Sequence, residues 1–206
     1  MCSSHANAAM LSRRGFTTMA MAGAGLGLLP FGARAAAPCE ALCITCIDYR
    51  AIDSTVRFLQ TAQPDGLNLP RDFDIVALAG ASLASVSTKF PGSVDALWNH
   101  VSLAKSLHKI KRVIVIDHRD CGAFEVEFGR KPKDDCEEYN WHCEIMQKMH
   151  AQFIERGWMA PPPGPALSLD FYLMPKPGED SVPRRLPLPY FKPALVDINR
   201  MCRKAA

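Results

Sequence analysis

Apolar and polar positions along this chain follow two rhythms that trade places. The run ALCITCIDY (Ala41 to Tyr49) is apolar at most positions and rich in β-formers, which predicts a buried strand. AIDSTVRFLQTAQ (Ala51 to Gln63) switches to helical spacing and stops at Pro64-Asp65-Gly66. DFDIVALAG (Asp72 to Gly80) predicts a second strand ending on glycine. Beyond a turn at Pro91, VDALWNHVSLAKSLH (Val94 to His108) repeats apolar residues at Val94, Leu97, Trp98, Val101 and Ala104, the pattern of an amphipathic helix. RVIVIDH (Arg112 to His118) is nearly all apolar and predicts a third strand.

Asp134 to Gly157 is expected to be mainly helical, and PPPGP (Pro161 to Pro165) breaks the chain. ALSLDFYLM (Ala166 to Met174) predicts a fourth strand, and the proline-rich tail to Pro193 an extended segment. Strands alternating with helices predict a single-domain α/β fold, with a mostly parallel central β-sheet flanked by helices on both faces. No internal repeat interrupts it.

The residues ahead of the first strand carry a different signal. Arg13 and Arg14 precede Phe16, an Ala/Gly/Met/Leu run follows from Met19 to Phe31, and GARAAAP comes next. Charged region, short apolar region and small-residue cleavage site stand in the order of a twin-arginine-type signal peptide over residues 1–35. Cleavage is expected between Ala35 and Ala36 or two residues later, leaving a domain over residues 36–206. A lipid anchor at Cys39 competes, but Pro38 before it is a poor match. The apolar run is too short and too glycine-rich to span a bilayer, so no stable membrane insertion is expected after cleavage. The expected destination is the periplasm.

With 48% hydrophobic and 22% charged residues, the composition is that of one globular domain. The mature chain of roughly 170 residues is long enough for one complete core. A net charge of +3, scattered in mixed patches such as His108 to Arg112 and Phe128 to Asp135, gives no footprint for nucleic acid.

Of the eight cysteines, seven remain once Cys2 is removed, so at least one is free, ligated or paired between chains. Two constellations gather the chemistry. The first is Cys46-Ile47-Asp48-Tyr49-Arg50, whose Cys46, Asp48 and Arg50 share one face if the strand continues. The second is His118-Arg119-Asp120-Cys121-Gly122, at the carboxyl end of the third strand. Both lie where open α/β sheets bind ligands. Two thiolates and an imidazole suit zinc, with a fourth position open to water or to Asp48.

Two other readings use Cys43: a redox pair with Cys46, and a closed Cys3His site. Residues three apart on a strand face opposite ways, which sets Cys43 apart from Cys46. A Cys39–Cys43 disulfide fails in an extended strand, because four residues span about 13 Å against a Cα limit of about 7 Å. Cys39, Cys136, Cys143 and Cys202 are candidates for bridges among themselves, with the pairing open.

These residues resemble the β-class carbonic anhydrases, which carry a Cys-x-Asp-x-Arg motif after the first strand and a His-x-x-Cys-Gly motif after a later apolar one. Cys46, Asp48, Arg50, His118, Cys121 and Gly122 match. The likeness runs from about Ala41 to Phe124, with DFDIVALAGAS (Asp72 to Ser82) in the place of the family's second strand and Ala-Gly turn. Tyr49 departs from the family's serine, Ala77-Leu78-Ala79-Gly80 lacks its arginine, and the two motifs stand farther apart. The pattern resembles a divergent, exported branch.

The resemblance implies reversible hydration of carbon dioxide to bicarbonate by zinc-bound hydroxide, with Cys46, His118 and Cys121 as ligands. Asp48 would orient the nucleophile, Arg50 would hold Asp48 off the metal, and Asp48 could become the fourth ligand in a closed form. A homodimer or higher homo-oligomer is expected on the same ground. Alternatives are a hydrolase of carbonyl sulfide or carbon disulfide, a non-catalytic zinc-binding protein closed by Asp48 or Cys43, and a thiol redox protein. Tyr49 is expected to pack in the core, and Asp120 to orient His118 or to sit exposed in a turn. His100, His108, His142 and His150 are expected on surfaces or helices.

Overall fold

The computed structural model describes residues 38–63, 66–69, 72–159, 166–176 and 183–186. The stretch expected to be a signal peptide, the Pro161 to Pro165 break, most of the proline-rich tail and Cys202 lie outside the described residues. Five strands form one sheet: β1 (Ala41–Thr45), β2 (Phe73–Ala77), β3 (Arg112–His118), β4 (Ser168–Met174) and β5 (Arg184–Leu186). Their order is β2-β1-β3-β4-β5. The first four run parallel, and β5 closes one edge antiparallel to β4.

Buried on both faces, β1 and β3 read as nearly continuous apolar runs, as central parallel strands must. Alternate residues serve two cores. Leu42, Ile44, Val113 and Val115 pack with Leu97, Trp98 and Val101 of α2 (Pro91–Leu103), and with Met146, Met149 and Phe153 of α4 (Asp135–Glu155). Ala41, Cys43, Ile114 and Ile116 pack with Ala51, Phe58 and Leu59 of α1 (Tyr49–Gln60). Each face therefore carries helices, as the alternation implied. Among the described residues no helix is long and apolar enough to cross a membrane.

The strand β3 matches its sequence reading, while β1 stops four residues short of Tyr49 because Asp48 caps α1. Tyr49 is consequently not core: it opens the helix and is 85% exposed. The helix expected to His108 gives way after Leu103 to a single π-type turn, Ala104–His108. Three short elements carried no periodic signal: a 3-10 turn at Ala81–Ser85, α3 (Gly122–Phe128) and β5.

Candidate metal and catalytic site

Three neighbouring parallel strands, β2, β1 and β3, end together, and their exit turns build the site. Cys46 follows β1, His118 is the last residue of β3, and Cys121 caps α3. All three are buried, at 4%, 2% and 6% exposure. Their donor atoms lie within 4.8 Å of one another. The two sulfurs are 3.9 Å apart. Tetrahedral zinc with bonds of about 2.3 Å to sulfur holds two thiolates about 3.8 Å apart. His118 Nδ1–H donates to the Arg119 carbonyl at 2.9 Å, which fixes the tautomer and leaves Nε2 as a buried lone pair with no hydrogen-bond partner. An orphaned imidazole nitrogen beside two thiols fits a zinc ion.

The Gly80 turn supplies a second-strand contribution that the motifs did not reveal. Gly80 adopts a left-handed φ of +75° and turns its N–H onto Cys46 Sγ at 3.3 Å. The Cys46 thiol is held low chiefly by the Cys121 thiol donating to it, against burial, with His118 and the Gly80 N–H assisting. Cys121 is pushed up by that same contact and by burial. The two sulfurs thus favour a single negative charge between them. Burial opposes charge on His118, whereas Cys46, the Arg119 carbonyl and Asp48 raise its pKa, so a proton competes with a cation for the Nε2 lone pair.

Asp48 and Arg50 do meet beside the cluster, though not by strand alternation. Asp48 is the N-cap of α1 and accepts the Arg50 backbone N–H at 2.9 Å. The Arg50 side chain returns over it, with Nε 3.0 and 3.1 Å from the two carboxylate oxygens and Nη2 2.6 Å from Oδ2. That fork holds the Asp48 carboxyl down to about 2. Asp48 Oδ2 stands 3.8 Å from His118 Nε2, so the carboxylate borders the ligand cluster.

Asp120 sits exposed in the turn, the second of its two expected places, and there it holds Arg50 rather than His118. Its carboxylate accepts from Arg50 Nη1 at 3.0 Å and its carbonyl from Nη2 at 3.1 Å. Its left-handed φ of +58° presents both groups to the arginine. Glu138 of α4 braces this turn, accepting from the Asp120 N–H and from Arg119 Nε and Nη2 at 3.0 and 2.8 Å. A cavity of about 270 Å³ opens beside Cys121, lined in part by Asp120, Phe124, Glu125, Lys133 and His142.

His142 stands on a helix, one of its two expected places, and not at the surface. It is fully buried on α4, and its Nδ1 lies 2.9 Å from Asp117 Oδ2. Asp117 also accepts the Ser82 N–H and hydroxyl at 2.9 and 2.6 Å, locking the 3-10 turn to β3. Nothing local in the sequence flags Glu138 or His142, whose partners lie 19 and 25 residues away. Cys43 faces the opposite core from Cys46, and burial pushes its thiol up. Cys39 and Cys143 carry free thiols, whereas Cys136 is disulfide-bonded. Bridges of Cys39 and Cys143 are thereby excluded.

A family model described as "Putative carbonic anhydrase" matches residues 37–153. An uncharacterized protein of Rickettsia bellii (strain RML369-C) is 36% identical over 108 residues, which cover 52% of this chain and 63% of that protein. The chain therefore spans less than two thirds of that relative's length. Among solved structures, the apo form of a carbon disulfide hydrolase is similar at a TM-score of 0.36 and 19% identity, covering 68% of this chain and 76% of that one. The β-carbonic anhydrase CafA of the fungal pathogen Aspergillus fumigatus is similar at a TM-score of 0.44 and 14% identity, covering 79% of this chain and 82% of that one. The family model takes in more than half of the chain and both cysteine motifs, and the chain belongs to this "Putative carbonic anhydrase" family.

Proposed function

We propose that this protein is a zinc-dependent carbonic anhydrase that interconverts carbon dioxide and water with bicarbonate and a proton. Cys46, His118 and Cys121 hold the metal, and Asp48 with Arg50 forms the gate. The observation that carries the reading is Asp48 ionised, forked by Arg50, and 3.8 Å from the unpartnered His118 Nε2. Zinc held by these ligands would supply the Lewis acidity that ionises water near neutral pH.

The chain's own residues do the positioning. A carboxylate only accepts hydrogen bonds, so Asp48 fixes the O–H of the attacking oxygen and turns its lone pair towards carbon dioxide. Arg50 keeps Asp48 from swinging onto the ligand cluster, because the guanidinium is itself anchored on Asp120. The Gly80 N–H sustains Cys46 as a thiolate, and the Arg119 carbonyl keeps His118 Nε2 free to ligate.

Zinc content and carbon dioxide hydration measured on one sample test this reading. About one zinc at this site, with hydration lost on chelation and both lost in Cys46→Ser, is the expected result. Zinc without hydration turns the assignment to a carbonyl sulfide or carbon disulfide hydrolase, or to a closed binding protein. A metal-free chain with Cys46 in a disulfide sinks it. We also propose export to the periplasm with removal of residues 1–35, supported by Arg13-Arg14 and the small-residue run before Pro38. N-terminal sequencing of the periplasmic protein checks that. Homo-oligomerisation is proposed likewise, with sedimentation as its measurement.

A further inference from the structure

A second set of metal-binding side chains lies at the other end of the sheet. Cys39 leads into β1, Asp74 is in β2, and His108 ends the turn that precedes β3. One donor atom from each lies within 4.8 Å of the others, and all three residues are half-buried. His108 Nδ1 is 2.5 Å from Asp74 Oδ2, and the Cys39 thiol donates to the Ala41 carbonyl at 3.1 Å. Backbone bonds fix the frame: the Cys39 N–H donates to the His108 carbonyl at 2.9 Å, and the Glu40 N–H to Asp72 Oδ1 at 2.8 Å. Six residues of β1 and its flanks separate Cys39 from Cys46, roughly 20 Å of extended chain.

We propose that Cys39, Asp74 and His108 form a second metal site, for a divalent transition ion of the zinc type, that clasps the amino-terminal ends of β1, β2 and β3. Sulfur, nitrogen and carboxylate oxygen together suit such an ion, whereas calcium and magnesium take oxygen sets. The local charge points the same way. Asp72 brings a second carboxylate whose field reaches the Cys39 sulfur, while the nearby Lys111 is engaged by Glu40 at 2.9 Å. Burial, and then those two carboxylates, hold the Cys39 thiol protonated. A bound cation takes the place of the thiol proton, which leaves to solvent, and stands between the His108 and Asp74 atoms that now face each other. Asp72 or a water completes four-coordination. The same protonated thiol argues against Cys39 as a nucleophile.

The test uses the full chain, purified and equilibrated in a zinc buffer, with zinc per chain read by mass spectrometry. Wild type is expected to bind two ions. Cys39→Ser and His108→Gln each lose one of them, while Cys46→Ser loses the other. If the carbonic anhydrase reading fails and this one holds, wild type binds one ion, which Cys39→Ser removes and Cys46→Ser does not. Zinc content unchanged in both Cys39→Ser and His108→Gln overturns the proposal. Alkylation provides an independent readout on wild-type protein in case a variant misfolds. Zinc should slow iodoacetamide labelling of Cys39 several-fold, and labelling indifferent to zinc also overturns it.

Discussion

Replacing Arg50 by alanine isolates the gate from the metal. The side chain donates from Nε and Nη2 to Asp48, and from Nη1 and Nη2 to Asp120. Arg50 is 33% exposed, so solvent screens the fork on Asp48 strongly and its worth lies in orientation rather than stability. If the fork orients Asp48 in the transition state, Arg50→Ala lowers kcat/KM about tenfold. Zinc content stays at the wild-type value, since no ligand is touched. Stability barely changes, because the Asp48 cap accepts a backbone N–H that the substitution retains.

Arg50→Lys recovers little, because an ammonium cannot span Asp48 and Asp120 together. Stopped-flow hydration with a pH indicator, paired with zinc analysis, gives both readouts. A rate within about twofold of wild type, or a loss that tracks lost zinc, refutes the gate argument.

Other perturbations address the scaffold under the site. Gly80→Ala places a methyl 2.8 Å from Leu83 Cβ at a left-handed φ, which costs about 1–3 kcal/mol; the turn that serves Cys46 shifts, so both Tm and zinc affinity fall in calorimetry. Asp117→Ala strands the buried Ser82 and His142 donors, and urea unfolding should show a loss of about 3–5 kcal/mol. Glu137→Gln reports on pH: Arg130, and then the Lys133 N–H, hold the Glu137 carboxyl at about 2, below its ordinary 4.5. Stabilisation from a depressed carboxyl is present above the unfolded value and lost as pH falls through the folded one. The wild-type advantage over Glu137→Gln should thus be full above 4.5 and gone near 2 in acid-unfolding curves, and a pH-independent gap contradicts the assignment.

What the sequence disclosed follows from how each feature is encoded. The strand β3 was legible because both faces are buried and every position from Val113 to Ile116 is apolar. The convergence of Cys46, His118 and Cys121 was legible because they lie at the ends of such strands, where few other roles call for them. The route to Asp48 and Arg50 was not. Asp48 caps α1 without the Glu or Gln three residues later that marks a capping box, since Ala51 stands there. The CIDYR run therefore looks like continued strand, and the strand reading brought the right residues together by the wrong geometry. It also sent Tyr49 inward. Buried polar groups were illegible for another reason: Glu138 and His142 look like solvent-facing positions of α4 until Arg119 and Asp117, on a different element, supply their partners.

The dual use of Asp48 has an energetic consequence for the gate. Its Oδ1 caps α1 while its Oδ2 borders His118, so any swing onto the metal uncaps the helix. Closing would forfeit about 1 kcal/mol of capping as well as the screened contacts of the fork. Both terms favour the forked arrangement, and the helix itself helps hold the Asp48 carboxylate off the cysteine–histidine cluster. Asp48→Asn separates the two duties, because asparagine caps as well as aspartate but carries no charge to orient an attacking oxygen. Fold and chemistry thus meet in one carboxylate, which explains why α1 begins where it does and β1 ends so early.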